Sequence, residues 1–340
     1  MVRHMIISIY IITCLKSQPG NSDPPPLLGR VLCEPKITLS RIAGRRAHAL
    51  NEKSMHGLSF FVIMTTMNRT EERAYAKLNL TLGVRAKRMD GYHELDMLMQ
   101  TVDLYDTVTV TRARDVEVTC AGMLLPYRNT LRTAAELYRA LTGRGAHIRV
   151  VKRIPQEAGL GGGSADAAAV LRAMDRLYGE IDRRQLYEIG RKTGADVPFC
   201  LHGGLCRAEG IGELLTPLSG MPLHAVIVKP ESGVSTRALF QALTLPRKLP
   251  DTAAAIRALA NGDLAALAPL LFNALEEPAC ALVPDIGRLK ARLLETGAAA
   301  ACMTGSGSAV FGLYETQSAA CDAARALTPD APFCIAVESV

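Results

Sequence analysis

The stretch PQEAGLGGGSADAAA, residues 155–169, decides the fold of this chain. The alternating segment AHIRVV before it predicts a strand over 146–151, and the alanine-rich segment after it predicts a helix from about Ser164 to Tyr178. Glycine adopts positive φ and lets a ligand approach the backbone, and a helix N-terminus adds unpaired N–H groups and partial positive charge. The four glycines between the two elements therefore predict a site for an anion, in particular phosphate.

This loop differs from the two common nucleotide-binding loops. A Walker A loop ends in Gly-Lys-Ser/Thr, whereas here Ser164, Ala165 and Asp166 follow the glycines. A dinucleotide fingerprint needs GxGxxG after the first strand of a βαβ unit, with an acidic residue at the end of the next strand, and the chain has no such arrangement. A simple helix cap at Ser164 would not need four glycines before it. These comparisons favour a phosphate loop of another class.

The overall composition is that of a globular protein large enough for two domains. Of 340 residues, 49% are hydrophobic and 21% are charged, and the formal net charge is +6. Residues 1–66 hold eight Lys/Arg and three Asp/Glu, which leaves 31 and 30 in the remainder. Since the body of the chain is nearly neutral, its charge argues against nucleic-acid binding.

The nine cysteines are scattered and form no CxxC pair. This spacing favours free thiols in a reducing cytoplasm over a disulfide framework. Cys200, His202 and Cys206 lack a second ligand pair at zinc spacing, so they predict no zinc site.

The first 66 residues differ from the rest of the chain. An apolar run over 5–15 resembles the start of a signal peptide, but no small-residue cleavage site follows it, and it is too short to span a bilayer. The part after it contains three consecutive prolines and a basic segment without clear periodicity. We therefore expect residues 1–66 to be a disordered or non-native extension, with the folded chain starting near Met64 or Met67 and no membrane association.

The segment after the extension predicts a mainly β half. Over 74–84, leucines and a valine alternate with polar residues, which predicts a strand with one buried face and with Lys77 and Asn79 together on the other. An Asp-Gly turn follows at 88–91. The periodicity then predicts strands over 97–102, 107–111 and 116–119, and a helix over 129–141.

The half after the phosphate loop predicts helices and a second sheet. Gly194 ends a short helix over 183–192, and Asp196 is expected in a loop before a strand over 199–201 and a hairpin through Gly203 and Gly204. Farther along, the order of predicted elements is βαββαβ, which suits a ferredoxin-like sheet. These elements are a strand over 223–228, helices within 235–275 and over 285–296, strands over 299–303 and 309–314, a helix over 317–327 and a strand over 333–338.

These motifs together resemble the GHMP kinase superfamily, whose members carry a PxxxGLGSSA type of phosphate loop and a glycine-rich third motif near the C-terminus. The resemblance runs from about Ala74 to Phe311. The phrases AYAKLNL, DGYHEL, GLGGGSADAA and GADVPF resemble the branch that acts on a cytidine-diphosphate-linked methylerythritol in non-mevalonate isoprenoid synthesis. The resemblance implies an α+β fold with the active site between two domains. The first, at 67–221, is expected to be like ribosomal protein S5 domain 2, and the second, at 222–340, to be ferredoxin-like.

The resemblance also implies a set of site residues for ATP. The predicted ATP-binding residues are Pro155, Gly159, Leu160, Gly161, Gly162, Gly163, Ser164 and Ala165. Asp196 is expected to act as general base on the substrate hydroxyl, and Lys77 to keep it ionised and orient the same hydroxyl. Mg²⁺ is required by the chemistry, and its protein ligands stay open because two glycines stand where many members have Ser-Ser. Ser164 is one candidate ligand.

The substrate side of the site follows from the same resemblance. Tyr92 and His93 are expected on the cytosine, which an aromatic face and an imidazole can stack on and hydrogen-bond. Asn79 is expected near the methylerythritol end, and Phe240 as a second stacking face. The third motif, with Gly305, Ser306 and Gly307, is expected to buttress the phosphate loop.

Two other interpretations stay open. The first is a GHMP kinase acting on mevalonate, homoserine or a sugar, against which Tyr92 and His93 argue. The second is an inactive or RNA-binding protein on the S5-like scaffold, against which the neutral body and the presence of Lys77 and Asp196 argue. Taken singly, Lys77, His93 and Asp196 have ordinary structural explanations, and only their joint order around the anion loop favours a site. The expected state is a monomer or homodimer.

Overall fold

Two β-sheets carry the fold in this computed structural model, which describes residues 68–243, 245 and 248–340. The prediction for residues 1–66 lies outside the described residues. Within those residues the strands are β1 (Arg69–Lys87), β2 (His93–Ala113), β3 (Val116–Cys120), β4 (Gly145–Val151), β5 (Leu205–Gly210), β6 (Leu214–Leu218), β7 (His224–Lys229), β8 (Phe272–Asn273), β9 (Ala300–Met303), β10 (Val310–Tyr314) and β11 (Phe333–Glu338).

The helices lie mainly between these strands. In the described part of the chain they are α1 (Thr130–Thr142), α2 (Gly162–Tyr178), α3 (Arg183–Thr193), α4 (Val197–His202), α5 (Thr236–Ala242), α6 (Thr252–Asn261), α7 (Leu264–Leu267), α8 (Glu276–Leu282), α9 (Asp285–Glu295) and α10 (Gln317–Leu327). Short 3₁₀ turns cover Ala268–Leu270 and Thr328–Asp330. None of the helices described is long and apolar enough to cross a membrane.

The larger sheet is built around the long antiparallel pair β1 and β2. Its order is β3-β4-β2-β1-β8, and β5 also pairs with β2 and carries β6. The prediction of separate strands over 97–102 and 107–111 was wrong, because β2 runs unbroken through both. Asp106 interrupts the apolar pattern between them, but its buried carboxylate accepts the backbone N–H groups of Arg153 and Ile154, the latter at 2.8 Å. These bonds offset the cost of burying the charge.

The smaller sheet has the order β11-β7-β10-β9, and all its pairs are antiparallel. With α9 before β9 and α10 before β11, this is the predicted ferredoxin-like arrangement, which is confirmed. Residues of β8, which the sequence did not predict, lie beyond 222 but pair in parallel with β1. The boundary at 221/222 stays a prediction.

The prediction of a strand over 199–201 and a hairpin after it was wrong. Residues 197–202 form α4, with Asp196 as N-cap and Pro198 in the first turn. Proline suits this position because its fixed φ is helical and its missing N–H would have no helical partner. Gly203 and Gly204, both at positive φ, then connect α4 to β5.

Strand β1 is buried on both faces, whereas the sequence predicted one buried face. Lys77 and Asn79 are 4% and 0% exposed. A register shift between Asn79 and Thr81 inserts a β-bulge, and the alternation of faces changes across it. Leu78 therefore packs in one hydrophobic cluster and Leu82 in the other, although the sequence placed them on one face.

Candidate active site

A cavity of about 1270 Å³, large enough to hold a small molecule, opens beside the phosphate loop. It is lined by the phosphate loop, the middle of β1, the turn into β2, the N-terminus of α4, helix α5 and the third glycine motif. Every predicted site residue except Ala165 lines it. The fold thus brings together residues that lie more than two hundred positions apart in the chain, from Lys77 to Gly307.

The phosphate loop ends in an open helix N-terminus. Helix α2 begins at Gly162, two residues earlier than predicted, and its N-cap Gly161 has φ 72° and no side chain to cap the helix. The first N–H groups of α2, from 162 to 164, have no partner inside the helix and face the side where an anion would bind. The N–H of Ala165 already donates to the Gly161 oxygen at 2.9 Å. Ala165 is buried, and the structure does not bring it to the cavity.

The third glycine motif packs directly on the phosphate loop. The N–H of Ser308 donates to the Glu157 oxygen at 3.0 Å, and the N–H of Ala309 donates to the Ala158 oxygen at 3.2 Å. A Cβ on Gly159, whose φ is 69°, would lie 2.0 Å from the Thr304 oxygen. Glycine is therefore needed at 159 for the two turns to touch, and the buttressing role of the third motif stays a prediction.

The lysine and aspartate singled out in the sequence lie side by side in the cavity. Lys77 Nζ is 3.6 Å from Asp196 Oδ2, with side chains 5% and 28% exposed. Lys77 Nζ also donates to Asn79 Oδ1, and the Lys77 N–H donates to the Leu160 oxygen at 3.0 Å. Asp196 makes no capping hydrogen bond to α4, so its carboxylate is free for the cavity. Strand β1 thus ties the carboxylate–ammonium pair to the phosphate loop.

Two of the predicted substrate residues contact each other at the other end of the cavity. The rings of His93 and Phe240 are stacked with centroids 4.8 Å apart and an interplanar angle of 28°. Burial lowers the pKa of His93, and the positive charge of Lys87 lowers it further, so the imidazole is neutral at pH 7. Rings at this distance are in direct contact and leave no space for a third ring between them. Tyr92, which is 59% exposed, also lines the cavity.

A buried charge cluster beside the phosphate loop was missed by the sequence reasoning. Lys152 Nζ donates to Asp166 Oδ2 at 2.5 Å and to Asp106 Oδ2. Burial raises the pKa of Asp166 to about 7; Lys152 opposes this shift and Asp106 adds to it. The Asp166 Oδ1 atom is buried and has no hydrogen-bond partner in the described part of the chain. The available signal was that Asp166 stands among four alanines at the start of this helix, since an acidic residue there is buried with the alanines.

Comparison with known proteins agrees with the fold. The GHMP kinases N terminal domain matches residues 129–204, and the GHMP kinases C terminal domain matches residues 255–331. A crystal structure of 4-(cytidine 5'-diphospho)-2C-methyl-D-erythritol kinase superposes with a TM-score of 0.70 at 39% identity, covering 79% of this chain and 99% of the other. Homoserine kinase from Cytophaga hutchinsonii, at 21% identity and a TM-score of 0.65, shares the fold, with 81% and 96% of the two chains covered.

Two curated relatives are similar over nearly their whole length. The 4-diphosphocytidyl-2-C-methyl-D-erythritol kinase of Caldicellulosiruptor saccharolyticus is 43% identical over 265 residues, which is 75% of this chain and 91% of the relative. The enzyme of the same name from Acetivibrio thermocellus is 39% identical over 279 residues, which is 79% and 98% of the two chains.

The two matched domains and the cavity with its phosphate loop define the class of the protein as a GHMP kinase. The predicted α+β fold and the prediction of a phosphotransferase are thereby confirmed. Within that class, the chain belongs to the family of 4-diphosphocytidyl-2-C-methyl-D-erythritol kinases.

Proposed function

We propose that the chain transfers the γ-phosphate of ATP to the 2-hydroxyl of 4-diphosphocytidyl-2-C-methyl-D-erythritol, giving the 2-phosphate and ADP in the non-mevalonate isoprenoid pathway. The observation that carries this proposal is the cavity that holds an open helix N-terminus, the Lys77–Asp196 pair and the His93–Phe240 stack together. The helix N-terminus suits the polyphosphate of ATP, and the Lys77–Asp196 pair suits the attacking hydroxyl. The His93–Phe240 stack suits the pyrimidine.

The phosphate loop holds the group that is transferred. The N–H groups of residues 162–164 and the positive end of α2 bind the triphosphate oxygens. Phosphoryl transfer depends on alignment and charge stabilisation more than on covalent chemistry. The substrate hydroxyl oxygen bonds to the γ-phosphorus, the bond from that phosphorus to the bridging oxygen of ADP breaks, and ADP keeps the electron pair.

Asp196 and Lys77 act on the attacking hydroxyl. The Asp196 carboxylate accepts the hydroxyl proton as the new bond forms, which is general base catalysis and contributes roughly 10²–10⁴-fold in rate. The ammonium of Lys77, 3.6 Å away, stabilises that carboxylate and orients the hydroxyl. Because Asn79 and the Leu160 backbone hold Lys77, the position of the base follows the position of the phosphate loop.

The residues at the loop fit a magnesium ion that is bound mostly by phosphate. The described residues contain no group of three or more His, Cys, Asp or Glu that could hold a metal ion. Mg²⁺ in kinases commonly takes one or two protein oxygens besides phosphates and water. The Ser164 hydroxyl and the unpartnered Asp166 Oδ1 are oxygens at the cavity wall that would hold it. When bound, the ion neutralises charge on the β- and γ-phosphates.

A turnover assay with the full chain tests the substrate. ATP and Mg²⁺ are supplied with either 4-diphosphocytidyl-2-C-methyl-D-erythritol or mevalonate, ADP release is followed, and ³¹P NMR locates the new phosphate. We expect ADP and a 2-phosphate only with the cytidylyl substrate, formed roughly 10²–10⁴-fold more slowly by a matched Asp196→Asn sample. Phosphorylation of mevalonate alone would contradict the proposed substrate.

The remaining parts of the proposal concern location and organisation. We place the protein in the cytoplasm, because the seven cysteines within the described residues are all free thiols. A monomeric or homodimeric state and domains at 67–221 and 222–340 complete the proposal.

A further inference from the structure

The cations of the cavity fall into two groups. Lys77 and Lys152 each contact a carboxylate of the cavity wall, Asp196 and Asp166. Lys87 and Arg237 also line the cavity, but neither forms an ion pair within the residues that the structure describes. Two positive charges thus face the cavity without a protein counter-charge.

The carboxylates nearest to Lys87 in sequence are already engaged. Arg88 binds Asp90 with Nη2 at 3.1 Å and Glu94 with Nη1 at 3.0 Å. The Asp90 carboxylate also accepts the N–H of Tyr92 at 3.1 Å. The turn before β2 is therefore held together by Arg88, and Lys87 is left for another partner.

The two unpaired cations flank the stacked rings. Lys87 is the direct cross-strand partner of His93 in the β1–β2 ladder, and partners of this kind project from the same face of a sheet. Arg237 precedes Phe240 by three residues on α5, so the two side chains share one face of the helix. Because His93 and Phe240 are in ring contact, Lys87 and Arg237 each lie next to one residue of the same stacked pair.

We propose that Lys87 and Arg237 bind the diphosphate of the substrate and thereby select a cytidine diphosphate derivative over an uncharged nucleoside or polyol. This inference rests on the proposed function, and it deepens that function by naming the residues that recognise the diphosphate. A pyrimidine at the ring pair is separated from its 5'-diphosphate by one ribose, which puts the phosphate oxygens within reach of both side chains. Guanidinium binds phosphate oxygens in a bidentate manner, and ammonium acts as a point charge.

The inference is tested by comparing two ligands that differ only in the diphosphate. Calorimetry measures the Kd of CDP and of cytidine for the full chain and for Lys87→Met, Arg237→Met and Arg237→Lys. Arg184→Met serves as the matched control, because Arg184 is an exposed cation on α3 outside this cavity. Steady-state assays give kcat and the KM for each substrate, and circular dichroism checks that every variant is folded.

We expect each Met variant to weaken CDP binding roughly tenfold, as for loss of a charged hydrogen bond, and to leave cytidine binding unchanged. The KM of the cytidylyl substrate rises by a similar factor, while kcat and the KM of ATP stay within about twofold. Arg237→Lys recovers part of the affinity, and Arg184→Met resembles the parent chain.

Equal losses for CDP and cytidine, or a rise in the KM of ATP instead, would overturn the assignment. The parent chain could also prove inactive in the turnover assay and still bind CDP more tightly than cytidine through these two residues. That result would count against the proposed function and not against this site.

Discussion

The replacement Gly161→Ala probes how the phosphate loop positions Lys77, the lysine proposed to act beside Asp196. Gly161 has φ 72°, and a Cβ added there would lie 3.0 Å from Cγ and 3.2 Å from Cε of Lys77. Ordinary contacts between carbon atoms are about 3.5–4.0 Å, so the lysine side chain must move by about half an ångström. That movement changes the position of Nζ relative to Asp196 Oδ2, which is 3.6 Å away in the parent chain.

The magnitudes follow from two separate effects. An L-residue in the left-handed region costs about 1–2 kcal/mol, and the stiffer unfolded chain of alanine offsets about 0.4–1 kcal/mol of that. The free energy of unfolding should therefore fall by about 1 kcal/mol. Displacement of a catalytic group by 1 Å can cost about 10²-fold in rate. We therefore expect kcat to fall roughly 10- to 100-fold.

Gly179→Ala is the matched control, at the opposite end of the same helix. Gly179 also has positive φ, 63°, but a Cβ there would meet only the Asp175 oxygen, at 3.9 Å. Thermal unfolding of the two variants should give similar decreases in Tm, whereas turnover should fall only in Gly161→Ala. If both variants lose kcat equally, or if Gly161→Ala raises only the KM of ATP, the argument that Gly161 acts through Lys77 is refuted.

Three further predictions concern the reacting groups and the pyrimidine end. Asp196→Asn should lower kcat roughly 10²–10⁴-fold, because the general base is lost. The Kd of ATP should stay within about twofold, since the Asp196 carboxylate makes no capping bond to α4 and its replacement leaves the helix start intact. Turnover near that of the parent chain would exclude Asp196 as the base. Phe240→Leu should raise the substrate KM roughly tenfold through loss of aromatic stacking, with the KM of ATP as internal control. Because burial lowers the pKa of His93, protonation of the imidazole, and the rise in substrate KM expected from it, should be centred below pH 6.5, the ordinary pKa of histidine. A rise centred at or above pH 6.5 in a KM titration would show that this pKa is not lowered.

The sequence by itself determined the elements that local patterns specify. Glycines before an alanine-rich helix predicted the anion loop, because chain flexibility and helix termini are properties of a few consecutive residues. The βαββαβ order predicted the ferredoxin-like sheet, since strand and helix periodicities are visible in short windows. The role of Lys77 beside Asp196 came from a resemblance, and the structure supplied their distance of 3.6 Å.

Only the tertiary structure decided features that depend on partners far away in the chain. The bulge in β1 moved Leu82 to the other hydrophobic cluster, and Pro198 served as a helix start where a strand was expected. Asp106 lies buried within a strand because backbone N–H groups some 47 residues later in the chain satisfy its carboxylate. These features follow from burial and hydrogen bonding between segments that are distant in the chain. A local sequence pattern contains no information about which distant segments will contact each other.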